Sequence, residues 1–408
     1  MTIFTAFAIF ITIAALASFV NHRYFKLPTS LGVMIVGMIM SVSLFALSYM
    51  GADFIAPISV FLNEVDFSET LMKGMLSFLL FAGALHINLD DLFKQKYIIG
   101  LLATIGVVVT TFLVGTALYF ILGALGLEIS YVYCLVFGAL IAPTDPVAVI
   151  AILKSVKISK TLETKIAGES LFNDGVGIVV FGVVAGIAVG GSSTTALDVS
   201  LLFLQEAVGG VILGLALGWL TFQLLRRVDD HSVEILLTLA LVCGGYSLAI
   251  GLHTSGPIAI VVAGLLIGNH GRRFAMSDHT IEHLDKFWEF LDETLNAALF
   301  VWIGLEAIAL SFSVNFLIAG LIAIPLTLLA RLLSVWGAIN ALKFRREFSD
   351  NAVRILTWGG LRGGISIALA LSLPASETRD LIVAMTYIVV VFSILVQGLT
   401  IKKVLGLN

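Results

Sequence analysis

The chain has 408 residues, of which 59% are hydrophobic and 12% charged, with a formal net charge of −4. A mean hydropathy of +1.07, sustained to the end with no hydrophilic stretch long enough for a separate folded unit, marks an all-α polytopic membrane protein forming one membrane domain over 1–408. Basic residues are scattered over short loops instead of gathered in a patch, which excludes nucleic acid as a partner.

Polar punctuation divides the chain into about thirteen apolar segments, at roughly 3–20, 31–50, 69–88, 98–124, 130–153, 163–190, 199–225, 232–252, 256–269, 287–311, 315–342, 352–373 and 381–401. The first run lacks a basic region before it, its charges Arg23 and Lys26 coming after, so it reads as an uncleaved span. Every second connection is basic: Arg23/Lys26, Lys94/Lys96, Lys154/Lys157/Lys160/Lys165, Arg226/Arg227, Arg272/Arg273, Lys343/Arg345/Arg346 and Lys402/Lys403. The alternate connections carry Asp53, Glu64 and Asp66, then Glu128, Asp198, His253, Asn315, and Glu377 with Asp380, Arg379 being the main basic exception. This alternation predicts an odd number of spans, with the N-terminus outside and the C-terminus in the cytoplasm. Between Asn269 and Glu293, Asp285, Glu289, Asp292 and Glu293 recur at helical spacing beside Phe287, Trp288 and Phe290, which predicts an amphipathic helix entering the membrane. Cys134 and Cys243 lie in apolar runs without a CxxC neighbourhood and read as small core hydrophobes.

Two of the spans are interrupted. In the fifth, Pro143 and Pro146 flank Thr144-Asp145, removing amide donors and pushing the preceding residues out of helical geometry. In the twelfth, Gly359-Gly360-Leu361-Arg362-Gly363-Gly364 concentrates four glycines around one arginine. Irregular backbone at membrane depth survives only where protein or a watery cavity answers the freed groups. The two breaks are an odd number of spans apart and so run in opposite directions, the arrangement of inverted repeats with a transport site at the midplane.

The sixth span carries Glu169, Ser170, Asn173 and Asp174 on one side of a helix, all offering side-chain oxygen. Hard monovalent cations prefer such oxygens, and the break at Thr144-Asp145 adds a hydroxyl, a carboxylate and free carbonyls. An unpaired intramembrane acid such as Asp174 marks an ion pathway, whereas Arg362 needs an acid beside it, for which Glu169 is the expected partner. Asp145 before Pro146 also suits a helix N-cap, and Asn173 suits an interhelical hydrogen bond. The histidines His231, His270, His279 and His283 near cytoplasmic loops read as solvated side chains, and Glu306 as an acid reaching the interface.

Thr144-Asp145-Pro146, Gly168-Glu169-Ser170-Leu171-Phe172-Asn173-Asp174-Gly175 and Gly359-Gly360-Leu361-Arg362-Gly363-Gly364 closely resemble the NhaP/NHE (CPA1) branch of monovalent cation/proton antiporters, in order and over nearly the whole chain. The resemblance implies an inverted-repeat, NhaA-like fold with two crossing broken helices. It implies a homodimer in the plasma membrane, with a core bundle (about 98–190 and 315–401) moving against a dimerisation bundle made of the remaining spans. It implies that Asp174 carries either cation or proton, that Thr144, Asp145 and Ser170 assist coordination, that Glu169 pairs with Arg362, and that asparagine at 173 goes with electroneutral exchange. The span-3 acid of many such relatives is absent, the chain reading Leu80-Phe81-Ala82-Gly83-Ala84.

The expected function is therefore electroneutral sodium/proton antiport serving pH homeostasis, with potassium/proton antiport as the alternative within the family. From a different class, two aspartates on consecutive spans could form an intramembrane protease dyad, but Thr-Asp-Pro and Asn-Asp-Gly do not resemble the Tyr-Asp and Gly-x-Gly-Asp signatures of those proteases. No HExxH occurs, so the expectation is a transporter without enzymatic activity or cofactor, its ligands being monovalent cations and protons.

Overall fold

Long apolar runs that cannot leave backbone amides unpaired in hydrocarbon fold as helices, and the computed structural model of the chain is all-helical. It describes residues 3–49, 67–147, 149–150, 160–190, 196–306, 313–344, 348 and 351–404. The loop residues Asp53, Glu64, Asp66, Lys154, Lys157, Arg345 and Arg346 lie outside these, as do the side chains of Asp198 and Glu306.

The helices are α1 (Ile3–Val20), α2 (Thr29–Tyr49), α3 (Thr70–Leu85), α4 (Leu89–Lys94), α5 (Lys96–Ala124), α6 (Tyr131–Ile141), α7 (Lys160–Gly190) and α8 (Ala196–Leu225). There follow α9 (His231–Gly251), α10 (Gly256–Leu266), α11 (Asp278–Glu306), α12 (Val314–Leu342), α13 (Ala352–Trp358), α14 (Gly364–Leu371) and α15 (Glu377–Val404). Among the described residues, 7 helices are long and apolar enough to cross a membrane. From Asp278 onward the amphipathic stretch and the apolar run after it form the single helix α11, whereas residues 269–277 lie outside it, in the short helical turns that precede it.

Local chemistry starts several of these helices where the sequence changes register. The Asp230 carboxylate caps α9, accepting from the amides of Ser232 at 2.9 Å and Val233 at 3.1 Å. Ser376 does the same for α15 through the Arg379 amide at 3.1 Å. Each such cap satisfies amides that the first turn leaves without partners.

Packing places the site. α6 lies against both α5 and α7, α3 against α10, and α12 against α15. Close approach of α5 and α6 depends on Gly138, where a Cβ would stand 2.3 Å from the Thr111 carbonyl oxygen, the small-residue contact that lets membrane helices meet backbone to backbone. The outward face of α8 presents Leu204, Val208, Val211, Leu215 and Trp219, as a helix in hydrocarbon should. Cys134 is buried, but Cys243 is exposed on α9; the expectation of a core position fails there because an apolar run in a membrane protein has an outer face as apolar as its inner one.

Candidate functional site

The two interruptions meet. α6 stops at Ile141 and α13 at Trp358, and between the unwound stretches the Asp145 amide donates to the Leu361 carbonyl at 2.8 Å, an isolated antiparallel bridge. Prolines on one strand and glycines on the other make this possible: at Gly363 a Cβ would stand 2.2 Å from the Asp145 carboxylate. The Asp145 Oδ1 accepts from the Val147 amide at 2.9 Å, the N-cap geometry its following proline predicts.

α7 holds Thr144 from the other side. Ser170 Oγ donates to the Thr144 carbonyl, Asn173 Nδ2 donates to Thr144 Oγ1 at 2.8 Å, and Asn173 Oδ1 accepts from the Thr144 amide at 3.3 Å. Asn173 therefore spends both ends of its amide on one residue and fixes the unwound segment against α7. Asp174, the next residue, is buried at 8% exposure and makes no hydrogen bond or ion pair to any described residue.

The arginines answer the backbone. Arg362 is 2% exposed, and its Nη1 donates to the carbonyls of Ala142 and Pro143, both at 2.8 Å, which the proline break has deprived of helical donors. Its own amide donates to Ser393 Oγ at 2.9 Å. The expected Glu169–Arg362 pair is not formed. Glu169 is held instead by Arg331 of α12, a two-pronged ion pair in which Nη1 reaches Oε1 and Nη2 reaches Oε2 at 3.0 Å. Arg331 also donates to the Leu356 carbonyl from Nη2 at 3.0 Å and from Nε at 3.3 Å. The physical reason for the exchange is geometric: Arg362 sits between two freed carbonyls that need a strong donor, whereas Arg331 presents its planar fork to the carboxylate. One charged residue inside an otherwise uncharged 29-residue helix was the signal that would have found Arg331.

A family model described as "Sodium/hydrogen exchanger, transmembrane" matches residues 9–406. The chain belongs to the sodium/hydrogen exchanger family. It is 50% identical to the Na(+)/H(+) antiporter NhaP of Pseudomonas aeruginosa over 97% of its own length and 94% of that protein's. It is 33% identical to the Na(+)/H(+) antiporter NhaH of Halobacillus aidingensis, covering 98% of this chain and 95% of that one. In fold it is similar to the sodium proton antiporter MjNhaP1 from Methanocaldococcus jannaschii, with a TM-score of 0.79 at 20% identity over 99% of this chain and 98% of that one.

Proposed function

We propose that this exchanger moves sodium against protons one for one, with Asp174 as the group that holds either ion. The observation that carries the proposal is a buried carboxylate with no cationic partner among the described residues, beside an interrupted helix. Such a group is stable in a dry place only when something neutralises it. A proton does so by forming the acid; a sodium ion does so by binding, with the oxygens of Thr144, Asp145 and Ser170 completing its shell. Loading one excludes the other, and that competition couples the two fluxes. A potassium/proton antiporter would use the same competition.

Of the two buried arginines, Arg331 is spent on Glu169 and Arg362 on carbonyls. With Glu169, Arg331, Arg362, Asp145 and Asp174 all ionised, the group carries two positive and three negative charges, so a single monovalent cation or proton balances it. That balance supports a one-for-one exchange. Glu169, Arg331 and Arg362, with the breaks at Pro143, Pro146, Gly359, Gly360, Gly363 and Gly364, serve as framework, and Asn173 as the clamp on Thr144.

On our reading the chain is a plasma-membrane homodimer of about thirteen spans, with the N-terminus outside and the C-terminus in the cytoplasm. The core bundle at about 98–190 and 315–401 shifts against the remaining spans to alternate access. The test is flux in proteoliposomes: an imposed proton gradient drives sodium uptake without building a membrane potential, and Asp174→Asn abolishes it. Uptake that generates a potential refutes the stoichiometry, and an active Asp174→Asn refutes the site.

A further inference from the structure

A cavity of about 430 Å³ lies where α7, α8, α9 and the start of α10 meet. Its walls include Ile178 of α7, Gln205 and Glu206 of α8, Tyr246 of α9, and His253 and Thr254 of the α9–α10 connection. A space of that size admits a hydrated ion. The Ser255 amide donates to the Glu206 carbonyl at 3.1 Å, which fixes the α8 wall to that connection. Among the lining residues Glu206 is the one acid, and none is lysine or arginine. Its partly buried carboxylate makes no ion pair or hydrogen bond to a described residue.

The floor of the cavity approaches Asp174. Ile178 comes four positions after Asp174, on the same face of α7 and about 6 Å further along it. Just beyond the lining residue Pro257 comes Ile258, wedged between two glycines: a Cβ on Gly175 would meet its Cγ1 at 2.8 Å, and a Cβ on Gly210 its Cβ at 3.2 Å. Gly175 is the chain neighbour of Asp174, so Ile178 and Ile258 stand between the cavity and that carboxylate. The connection at this end, residues 252–255, holds no lysine or arginine, whereas Arg226, Arg227, Arg272 and Arg273 lie toward the other end of α8, α9 and α10. In the orientation proposed above, the cavity therefore belongs to the outer face.

We infer that this cavity is the vestibule through which sodium reaches Asp174 from the outer face, with Glu206 the charge that draws the ion in and Ile258 the apolar barrier it must pass. The inference rests on the exchange reading above. An unpaired carboxylate in a cleft with apolar walls concentrates cations there, because field lines spread poorly into low-dielectric surroundings. The ion keeps most of its water in so large a space, so one carboxylate attracts it without holding it. Ile258 offers the ion no side-chain oxygen, and the barrier opens when α7, of the core bundle, shifts against α8 and α10 of the other.

The experiment measures initial rates of radioactive sodium uptake in sealed vesicles of known orientation, with sodium varied on one face at a time, for the full chain and for Glu206→Gln. The expected result is a KM raised about five- to tenfold on the His253 face, against a shift of less than about twofold on the Arg272 face. A second readout uses Gln205→Cys in a Cys243→Ser background, which removes the exposed native thiol. A positively charged, membrane-impermeant thiol reagent added to the His253 face is expected to label it and to cut sodium capture from that face at least about tenfold. Should Glu206→Gln fail to give monodisperse protein, the labelling decides. A KM unchanged on the His253 face, an equal shift on both faces, or a thiol at 205 that reacts only with a lipophilic reagent, as in a lipid-filled cavity, overturns the inference. An Asp174→Asn variant that still exchanges sinks the parent reading instead, so the two failures are distinguishable.

Discussion

Glu169 and Arg331 offer the sharpest perturbation, because sequence and structure assign the glutamate different partners. Both side chains are buried, at 2% and 7% exposure, and Arg331→Gln leaves the carboxylate with no other ion pair among the described residues. Removing one member of a buried pair costs about 3–5 kcal/mol, far more than the pair contributes against an apolar replacement. Glu169→Gln alone strands the guanidinium, but that group keeps its bonds to the Leu356 carbonyl, so the loss is smaller, about 2–3 kcal/mol. The double variant removes both charges and recovers part of the loss, giving a coupling of about 2–3 kcal/mol. Against Arg362, which spends its Nη1 on the Ala142 and Pro143 carbonyls, Glu169→Gln couples by about 1 kcal/mol or less, through charge at a distance. The assay is thermal unfolding of detergent-solubilised protein, monitored as the monodisperse fraction after heating, for the parent, three single variants and two doubles. A coupling of Glu169 to Arg362 larger than its coupling to Arg331 would refute the argument and restore the partner that the sequence suggests.

Four further outcomes follow from the same geometry. If cation and proton compete for Asp174 as proposed, the apparent KM for sodium should rise about tenfold for each pH unit below the carboxyl's own pKa and level off above it, read from uptake rates over a pH series; a pH-independent KM would contradict competition. Gly363→Ala drives a Cβ into the Asp145 carboxylate, 2.2 Å away, and should cut exchange at least tenfold by displacing that acid, with thermal stability lowered by about 1–3 kcal/mol. At Gly138 a Cβ meets the Thr111 backbone at 2.3 Å, so Gly138→Ala should destabilise by a similar 1–3 kcal/mol without a direct effect on the sodium KM. Glu234, at 0% exposure, leaves both carboxylate oxygens without a hydrogen-bond partner among the described residues, so Glu234→Met should raise thermal stability by about 1–3 kcal/mol.

Much of the site was legible because its signals are local. Prolines immediately either side of Thr144-Asp145 and glycines around Arg362 announce a break without knowledge of what lies opposite, and four oxygen-bearing residues at helical spacing share a face wherever the helix sits. The structure joins the two breaks through a backbone bridge at Asp145 and Leu361, which the pattern could anticipate as proximity but not as a hydrogen bond. What the sequence could not supply is allocation. A buried arginine must be answered, but which acid or carbonyl answers it depends on where a third helix passes, and α12 was not suspected of taking part. Asn173 illustrates the same limit at a smaller scale: its amide oxygen qualifies as a cation ligand by chemistry, yet both ends of the amide are already engaged by Thr144.

Allocation is also what gives the site its free charge. Had Arg362 met Glu169, the carbonyls of Ala142 and Pro143 would have lost their donor, and the buried Arg331 would have needed another anion, with Asp145 and Asp174 the other acids of the site. An aspartate recruited for that purpose would no longer be open to an exchangeable ion. By giving Arg331 to Glu169 and Arg362 to the interrupted backbone, the fold answers both permanent cations with groups that do not exchange, which on the proposed reading leaves Asp174 for an ion that can leave again. On that reading the framework pair bears on transport without holding the ion: a variant that frees Arg331 should lower exchange by offering Asp174 a permanent partner, and removing that arginine together with its glutamate should bring exchange back.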